Sequence, residues 1–275
     1  MKPARFDYVR PDTIEEALEV LAAEGSDARV LAGGQSLVPM LSMRLARPSV
    51  LIDITRIAGL QEIRNGKGGI VVPAATRQAA LLAAPGLERT HPLLAAAMPW
   101  IGHAQTRARG TVCGSIAHAD PSAELALCLL AVGGTVNLRS GKTRRAVAAK
   151  DFFVGLMTTD RHDDELVESV TFPTASDGTG YAFAEFGRRH GDFAIVSVAA
   201  VARADAVEVT VGGVDDMPVG RAWPRLAGAD LEDALNTLAW ELNARDDIHA
   251  DARLRRDLVR SMGRRTIEEA VSCIA

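Results

Sequence analysis

The residues best suited to hold a ligand lie in the stretch that reads L-A-G-G-Q-S. An apolar, β-prone segment runs into two consecutive glycines, and a segment able to start a helix follows. Adjacent glycines permit positive φ and let a ligand approach backbone N–H groups closely, while a helix start adds unpaired donors. The pattern suits a phosphate or pyrophosphate, and it is also found in plain tight turns. The candidate ligand-binding residues here are Leu31, Ala32, Gly33, Gly34, Gln35 and Ser36.

A second stretch, T-V-C-G-S, has the same character. It places small residues and hydroxyl groups ahead of a predicted helix, so the two stretches together could hold the two halves of one pyrophosphate. The candidates in this stretch are Thr111, Gly114 and Ser115.

Other nucleotide and catalytic motifs are absent from the sequence. There is no G-x-G-x-x-G and no G-x-S-x-G. Gly141-Lys142-Thr143 resembles the end of a P-loop. That motif also needs a glycine five residues before Gly141, and Val136 occupies this position. The six histidines are dispersed without H-x-x-x-H spacing, which disfavours a metal site.

Composition excludes several classes of function. The 275 residues are 48% hydrophobic and 24% charged, as in an ordinary globular protein, and the formal net charge of -4 argues against nucleic acid as the main partner. No apolar run approaches the length of a membrane span, and the N-terminal residues lack the apolar core of a signal peptide, so a cytoplasmic location is expected. Three scattered cysteines predict neither disulfides nor an iron–sulfur site, so any iron–sulfur centre would belong to another chain.

The first predicted unit, residues 1–60, positions the glycine turn. Thr13 and Glu16 have the form of a capping box before an amphipathic helix that Gly25 ends. Strand 29–32, the glycine turn, helix 35–46 and strand 50–54 follow. This order predicts a βαβ arrangement with the turn at the carboxyl end of a strand, where α/β sheets bind ligands.

The second predicted unit, residues 61–176, positions the second stretch. It contains a strand at 70–72, a helix over 78–84 capped by Thr76, and strands at 135–138 and 166–172. Asp120-Pro121 is a strong signal for the start of a helix that has Glu124 in its first turn.

The third predicted unit, residues 177–275, follows a linker rich in glycine and small polar residues. Its strands are expected at 181–186, 195–202 and 207–211, with helices beyond Leu231. The arginine-rich helical C-terminus is typical of a solvated face, and a contact with a partner is the alternative.

Three motifs together resemble those of a known family. They are L-A-G-G-Q-S, then I-G-H-A-Q-T-R-A-R-G-T-V-C-G-S-I-A-H-A-D-P from Ile101 to Pro121, and R-R-H-G-D-F-A-I-V from Arg188 to Val196. They occur in the order found in the FAD-binding medium subunit of the molybdenum hydroxylases, the family of xanthine dehydrogenase and aerobic carbon monoxide dehydrogenase. The resemblance covers the whole chain.

The resemblance implies an α+β fold. A two-lobed FAD-binding domain of the vanillyl-alcohol-oxidase type would precede a small C-terminal domain with a three-stranded sheet and helices. It implies that both glycine-containing stretches hold the FAD pyrophosphate and that Ile101 also contacts the cofactor. Asp120 and Glu124 would lie beside the ribityl and ribose hydroxyls, and Phe193 would cover one face of the isoalloxazine.

The implied function is electron transfer. A large molybdopterin subunit would oxidise the substrate, and a small subunit with two [2Fe–2S] clusters would pass electrons to FAD in this chain, which would hand them to NAD, a quinone or another acceptor. The expected assembly is a dimer of heterotrimers. The substrate would be chosen by another subunit, and it could be carbon monoxide, an aldehyde, a purine or another N-heterocycle.

Two alternatives stay open, together with one departure from the family pattern. A self-contained flavin oxidase of the same fold could carry covalent flavin on His103, His118 or Cys113, and a non-catalytic scaffold could have kept the fold.

Cys113 replaces the first glycine of a G-G pair that is usual in the family. Either this position needs positive φ and the cysteine is strained, or it needs only a small side chain, and we favour the second interpretation.

Overall fold

The computed structural model describes residues 2–66 and 68–274. They form a three-stranded, a five-stranded and a four-stranded sheet together with a two-stranded hairpin, and the helices pack against the three larger sheets. This mixed architecture confirms the expected fold class, with one correction in the third sheet.

The first sheet is parallel and carries the glycine turn. Thr13 caps the first helix by accepting the Glu16 N–H (3.2 Å), and the Glu16 carboxylate accepts from Asp12 N–H (2.8 Å), one residue earlier than a capping box requires. The strand order β1-β3-β2 with parallel pairing confirms the predicted βαβ unit. Its elements are β1 Asp7–Val9, α1 Ile14–Glu24, β2 Ala28–Leu31, α2 Leu37–Ser42 and β3 Val50–Asp53.

The second sheet is antiparallel, with the order β4-β5-β10-β6-β7. Helix α8 is buried on nearly all sides, because the third sheet packs on it from one side and the helices α5, α7 and α9 from others. The elements are β4 Arg64–Gly66, β5 Gly69–Pro73, α3 Gln78–Leu82, α4 Leu87–Thr90, α5 Pro92–Ala97, α6 Ala104–Arg109, α7 Val112–His118, α8 Glu124–Ala131, β6 Thr135–Arg139, β7 Arg144–Ala148, α9 Ala149–Phe152, the hairpin β8 Phe153–Gly155 and β9 Thr158–Thr159, and β10 Leu166–Phe172.

The third sheet has four antiparallel strands, so the expected three-stranded sheet is wrong. The additional strand lies at the edge of the sheet, and its residues are mostly exposed and include glycine and arginine, so it lacks the apolar alternation that identifies a half-buried strand. Two helices complete this part of the chain. The elements are β11 Gly180–Phe186, β12 Val196–Ala202, β13 Ala206–Gly212, β14 Val219–Pro224, α10 Gly228–Glu241 and α11 Ala252–Ser272.

Three local predictions also need correction. The hydroxyl of Thr76 donates to the Gln61 carbonyl (3.1 Å) instead of capping α3. Asp120 does not cap α8, which begins at Glu124, because its carboxylate accepts from the Ser122 N–H (2.9 Å) in a turn. Helix α2 has six residues, so the predicted helix 35–46 is too long at both ends.

The predicted divisions after residues 60 and 176 stay a prediction. Three apolar clusters follow the three sheets, but they exchange residues across those points. Leu166 belongs to the cluster of the first sheet, and Ala199 of β12 belongs to the cluster of the second. Among the described residues no helix combines the length and the apolar composition of a membrane span.

Candidate functional site

The two glycine-containing stretches pack against each other. A Cβ atom built on Gly33 would lie 2.6 Å from the Arg109 carbonyl oxygen and 2.7 Å from the Gly110 Cα. Only glycine fits at so close an approach of two backbones. The loop after β2 and the loop after α6 therefore meet at one point.

The first loop offers free backbone N–H groups to a ligand, rather than the N-terminus of a helix. Gly34 has φ +70°, so this position favours glycine. The N–H groups from Gly33 to Ser36 have no hydrogen-bond acceptor among residues 2–66 and 68–274, and α2 begins only at Leu37. Because α2 is a single short helix of six residues, these free N–H donors matter more here than a helix dipole.

The second stretch is the start of a helix, not a loop ahead of one. Thr111 is the N-cap of α7, and its hydroxyl oxygen accepts from the Gly114 N–H (3.2 Å). A Cβ on Gly114 would lie 2.5 Å from that oxygen, so the cap itself requires glycine there. The Gln78 N–H donates to the Gly110 carbonyl (2.9 Å), which fixes the approach to the helix.

Cys113 fits this helix without strain. It lies in the first turn of α7 and is not among the described residues with positive φ. Its thiol is buried and donates to the Val72 carbonyl oxygen (3.2 Å). The position needs a small side chain rather than a glycine, as the second interpretation expects.

A cavity of about 930 Å³ lies where the two loops meet, at the upper end of the roughly 300–1,000 Å³ range of ligand sites. Leu31 does not line it, because this residue ends β2 and its carbonyl accepts from the Ile54 N–H (3.1 Å). The predicted site residues that do line it are Ala32, Gly33, Gly34, Gln35, Ser36, Ile101, Thr111, Gly114, Ser115, Asp120, Glu124 and Phe193.

Three arginines on the cavity wall are not predicted as site residues from the sequence. Arg29, Arg47 and Arg161 come from separate parts of the chain and share no motif, and the fold brings them to one cavity. Arg29 and Arg47 form no salt bridge with any described carboxylate. Their charge is therefore available to an anionic ligand.

The acidic end of the cavity holds Asp120 and Glu124. Glu124 is only 5% exposed, and burial, reinforced by the charge of Asp120, raises the pKa of its carboxyl to about 7. A carboxyl group in this state can donate as well as accept hydrogen bonds near neutral pH. This arrangement suits a ligand that carries hydroxyl groups.

Phe193 lies on a turn that separates two cavities. Its side chain is 66% exposed, and it lines both the first cavity and a second one of about 970 Å³. The Arg189–Asp192 ion pair (3.0 Å) closes the turn. Gly191 has φ +87°, and a Cβ there would lie 2.8 Å from the Gly102 carbonyl oxygen. The turn is thus held against the segment that follows Ile101.

The burial of Cys113 and Cys128 predicts the thiol chemistry of the folded chain. Burial raises the pKa of both thiols, whereas Cys273 is exposed. Cys273 should react rapidly with a disulfide reagent. The two buried thiols should react slower by roughly three orders of magnitude or more, because they need an opening of at least about 5 kcal/mol. Absorbance of the released thiolate follows both phases.

The variant Cys273→Ser is the control for this assignment. It should lose the fast phase and keep the slow one. A fast phase that persists in Cys273→Ser and disappears in Cys113→Ser would show that the Cys113 thiol is accessible to reagent, contrary to its burial here.

Comparison with known proteins places these features in a family. Residues 4–175 match the family described as the FAD binding domain in molybdopterin dehydrogenase. The alpha subunit of the 6-hydroxypseudooxynicotine dehydrogenase complex of Paenarthrobacter nicotinovorans is 37% identical, over 98% of this chain and 96% of that one. The glyceraldehyde dehydrogenase medium chain of Sulfolobus acidocaldarius is 34% identical, over 98% and 99%.

Solved structures agree with the sequence relatives. A chain of carbon monoxide dehydrogenase from Hydrogenophaga pseudoflava, in a form that lacks the Mo-pyranopterin moiety of its molybdenum cofactor, superposes with a TM-score of 0.94 at 31% identity, over 100% of both chains. A chain of quinoline 2-oxidoreductase from Pseudomonas putida 86 gives 0.90 at 31% identity, over 99% of both. The two facing glycine loops, the single cavity they share and these matches show that the chain belongs to the FAD-binding family of the molybdopterin dehydrogenases, which are oxidoreductases.

Proposed function

We propose that the cavity between the two loops binds FAD, with its pyrophosphate on the backbone of both loops. The observation that carries this proposal is the contact at Gly33, which joins unpaired N–H groups after β2 to the start of α7. Arg29 and Arg47 add positive charge on the same wall. Two loops flanked by these arginines match the two phosphate groups of a dinucleotide better than one loop would.

The remaining predicted residues fit the other parts of FAD. Asp120 and Glu124 lie on the cavity wall, where they suit ribityl and ribose hydroxyls, and Ile101 provides an apolar contact. The exposed ring of Phe193 is free to lie against one face of an isoalloxazine. Bound FAD would supply the ability to receive electrons singly and pass them on in pairs, while the protein would bind and orient it.

We further propose that the chain is the electron-transfer subunit of a larger complex. A large molybdopterin subunit and a small subunit with two [2Fe–2S] clusters would be its partners, in a dimer of heterotrimers, and an external acceptor would take the electrons. The relatives support this proposal, because they are named as medium chains or as subunits of dehydrogenase complexes and the chain spans almost their whole length. The substrate would be chosen by another subunit, as the different substrates named for the relatives suggest.

The variant Gly33→Ala tests FAD binding. The purified chain should show flavin absorption, and acid precipitation should release the flavin unmodified. In Gly33→Ala the added methyl group separates the two loops. The loss of about two charge-assisted hydrogen bonds, each worth about 1.5 kcal/mol, should weaken FAD binding by roughly a hundredfold. Titration of apoprotein with FAD, followed by fluorescence, measures the change.

Gly141→Ala is the matched control, because a Cβ at Gly141 meets no atom within 4 Å. It should bind FAD as the unmodified chain does. Flavin that stays with the acid precipitate would support the self-contained oxidase instead. A folded chain that binds no FAD at any concentration would support the scaffold.

Reduction by substrate tests the proposed complex. The chain, isolated from cells that produce it, should co-purify with a molybdopterin subunit and an iron–sulfur subunit. Its flavin should be reduced by the substrate of the complex only when the iron–sulfur subunit is present, because the electrons must pass through it. Stopped-flow absorbance at the flavin band follows this step, and isolated flavin-loaded chain serves as the control. Reduction of that isolated chain by an organic substrate would contradict the proposal.

A further inference from the structure

A row of small and polar residues in the third sheet faces helix α8. Glu185 of β11 lies directly opposite Ser197 of β12, and Ser197 lies opposite Gly212 of β13. Directly opposite residues of antiparallel strands point to the same face. A Cβ on Gly212 would lie 2.7 Å from the Ser197 hydroxyl oxygen and 3.3 Å from a methyl carbon of Leu127 in α8. Helix α8, which carries Glu124, therefore covers Ser197 and Gly212, and Glu185 is their neighbour on the same face.

Two polar atoms of this row are buried and unpaired. Glu185 Oε2 and Ser197 Oγ have no hydrogen-bond partner among the described residues, and Ser197 is fully buried. An unpaired buried polar group costs about 1–3 kcal/mol, and most such groups are bonded to protein or to water. Two of them on neighbouring residues of one face indicate a place for ordered water between the sheet and α8.

The ionisable groups that interact with Glu185 come from α8. Glu124 and the Cys128 thiol lie close enough to Glu185 for their charges to interact, and Asp120, in the turn before α8, interacts with Glu124. Neither Glu124 nor Glu185 forms a salt bridge with a described lysine, arginine or histidine. Two carboxyl groups that share a buried site without a cation do not both ionise near neutral pH.

The charge states follow from burial. Burial, with a contribution from the charge of Asp120, raises the pKa of Glu124 to about 7. Burial first, and then the charge of Glu124, raises the pKa of Glu185 to about 8. The two deprotonation steps are properties of the pair rather than of either residue, because loss of the first proton makes the second harder to remove. The pair therefore holds at least one proton at neutral pH.

We propose that Glu124 and Glu185 share one proton through water held at Ser197, and that this proton links the FAD cavity to the C-terminal sheet. Glu124 lines the cavity, whereas Glu185 lies behind it on another part of the chain. The second half of the proposal rests on the proposed binding of FAD. The negative pyrophosphate would favour the protonated pair, so FAD binding takes up a proton from solvent, and FAD affinity falls as the pH rises above the lower of the two steps. Glu185 thus acts as a positioning residue through Glu124.

Infrared titration of the full chain tests the shared proton without FAD. The C=O stretch of a protonated carboxyl should disappear between about pH 7 and 8 in the unmodified chain. Glu124→Gln should lower the pH at which Glu185 loses its proton by about one unit, because the neighbouring negative charge is gone. Glu185→Gln should leave a single step assigned to Glu124. Glu208→Gln is the control and should change neither step, because Glu208 of β13 is partly exposed and paired with Arg203.

The same titration with saturating FAD tests the link to the cavity. Both steps should move to higher pH by about one unit in the unmodified chain and in Glu208→Gln. In Glu185→Gln only the single step of Glu124 should move.

Loss of both protons below about pH 5, or a step of Glu185 that Glu124→Gln does not move, would overturn the shared proton. Identical titrations with and without bound FAD would overturn the link. A chain that binds no FAD would refute the proposed function and with it the link, while the titration without FAD would still decide the shared proton.

Discussion

The site depends on the contact between the backbone of Gly33 and that of Gly110. A Cβ on Gly33 would lie only 2.7 Å from the Gly110 Cα, so there is no room for a side chain at Gly33. The contact brings the carboxyl end of a parallel sheet to the start of a helix that packs on an antiparallel sheet. Neither loop alone surrounds a ligand, but together they form one wall with free N–H donors from both sides.

The sequence predicts the local parts of this site well. Glycine pairs, hydroxyl residues and apolar periodicity are short-range signals, and they identify both loops and the parallel βαβ unit. The errors are also local. Thr76 and Asp120 have residue types that suit helix caps, but tertiary hydrogen bonds and a turn use their polar groups differently. Cys113 is tolerated because helix α7 begins one residue before it, which the sequence pattern does not reveal.

Long-range features of the site leave no sequence signal. The arginines of the cavity wall lie far apart in the chain, and only folding makes them neighbours. Glu185 lies in an ordinary strand, and its Oε2 atom is buried only because β11 is packed in the folded chain. Strand β14 is missed because an exposed edge strand needs no apolar alternation. In each case the tertiary contact, rather than the residue type, determines the role.

The third sheet contributes to the cavity as well as to its own core. Phe193 lines one side of the cavity from the turn before β12, and Glu185 of β11 interacts with Glu124, which also lines it. The cluster of the second sheet includes Ala199 of β12, so the two parts share a continuous apolar contact. This contact joins the core of the second sheet to the third sheet.

Hydrogen–deuterium exchange with and without FAD is the most direct test that both loops hold one pyrophosphate. The amides from Gly33 to Ser36 and those of Thr111 and Cys113 have no acceptor among the described residues and should exchange quickly in the apoprotein. Bound FAD should slow both groups together, by roughly tenfold or more. Protection of only one loop, or of neither, in a chain that demonstrably holds FAD would contradict the account.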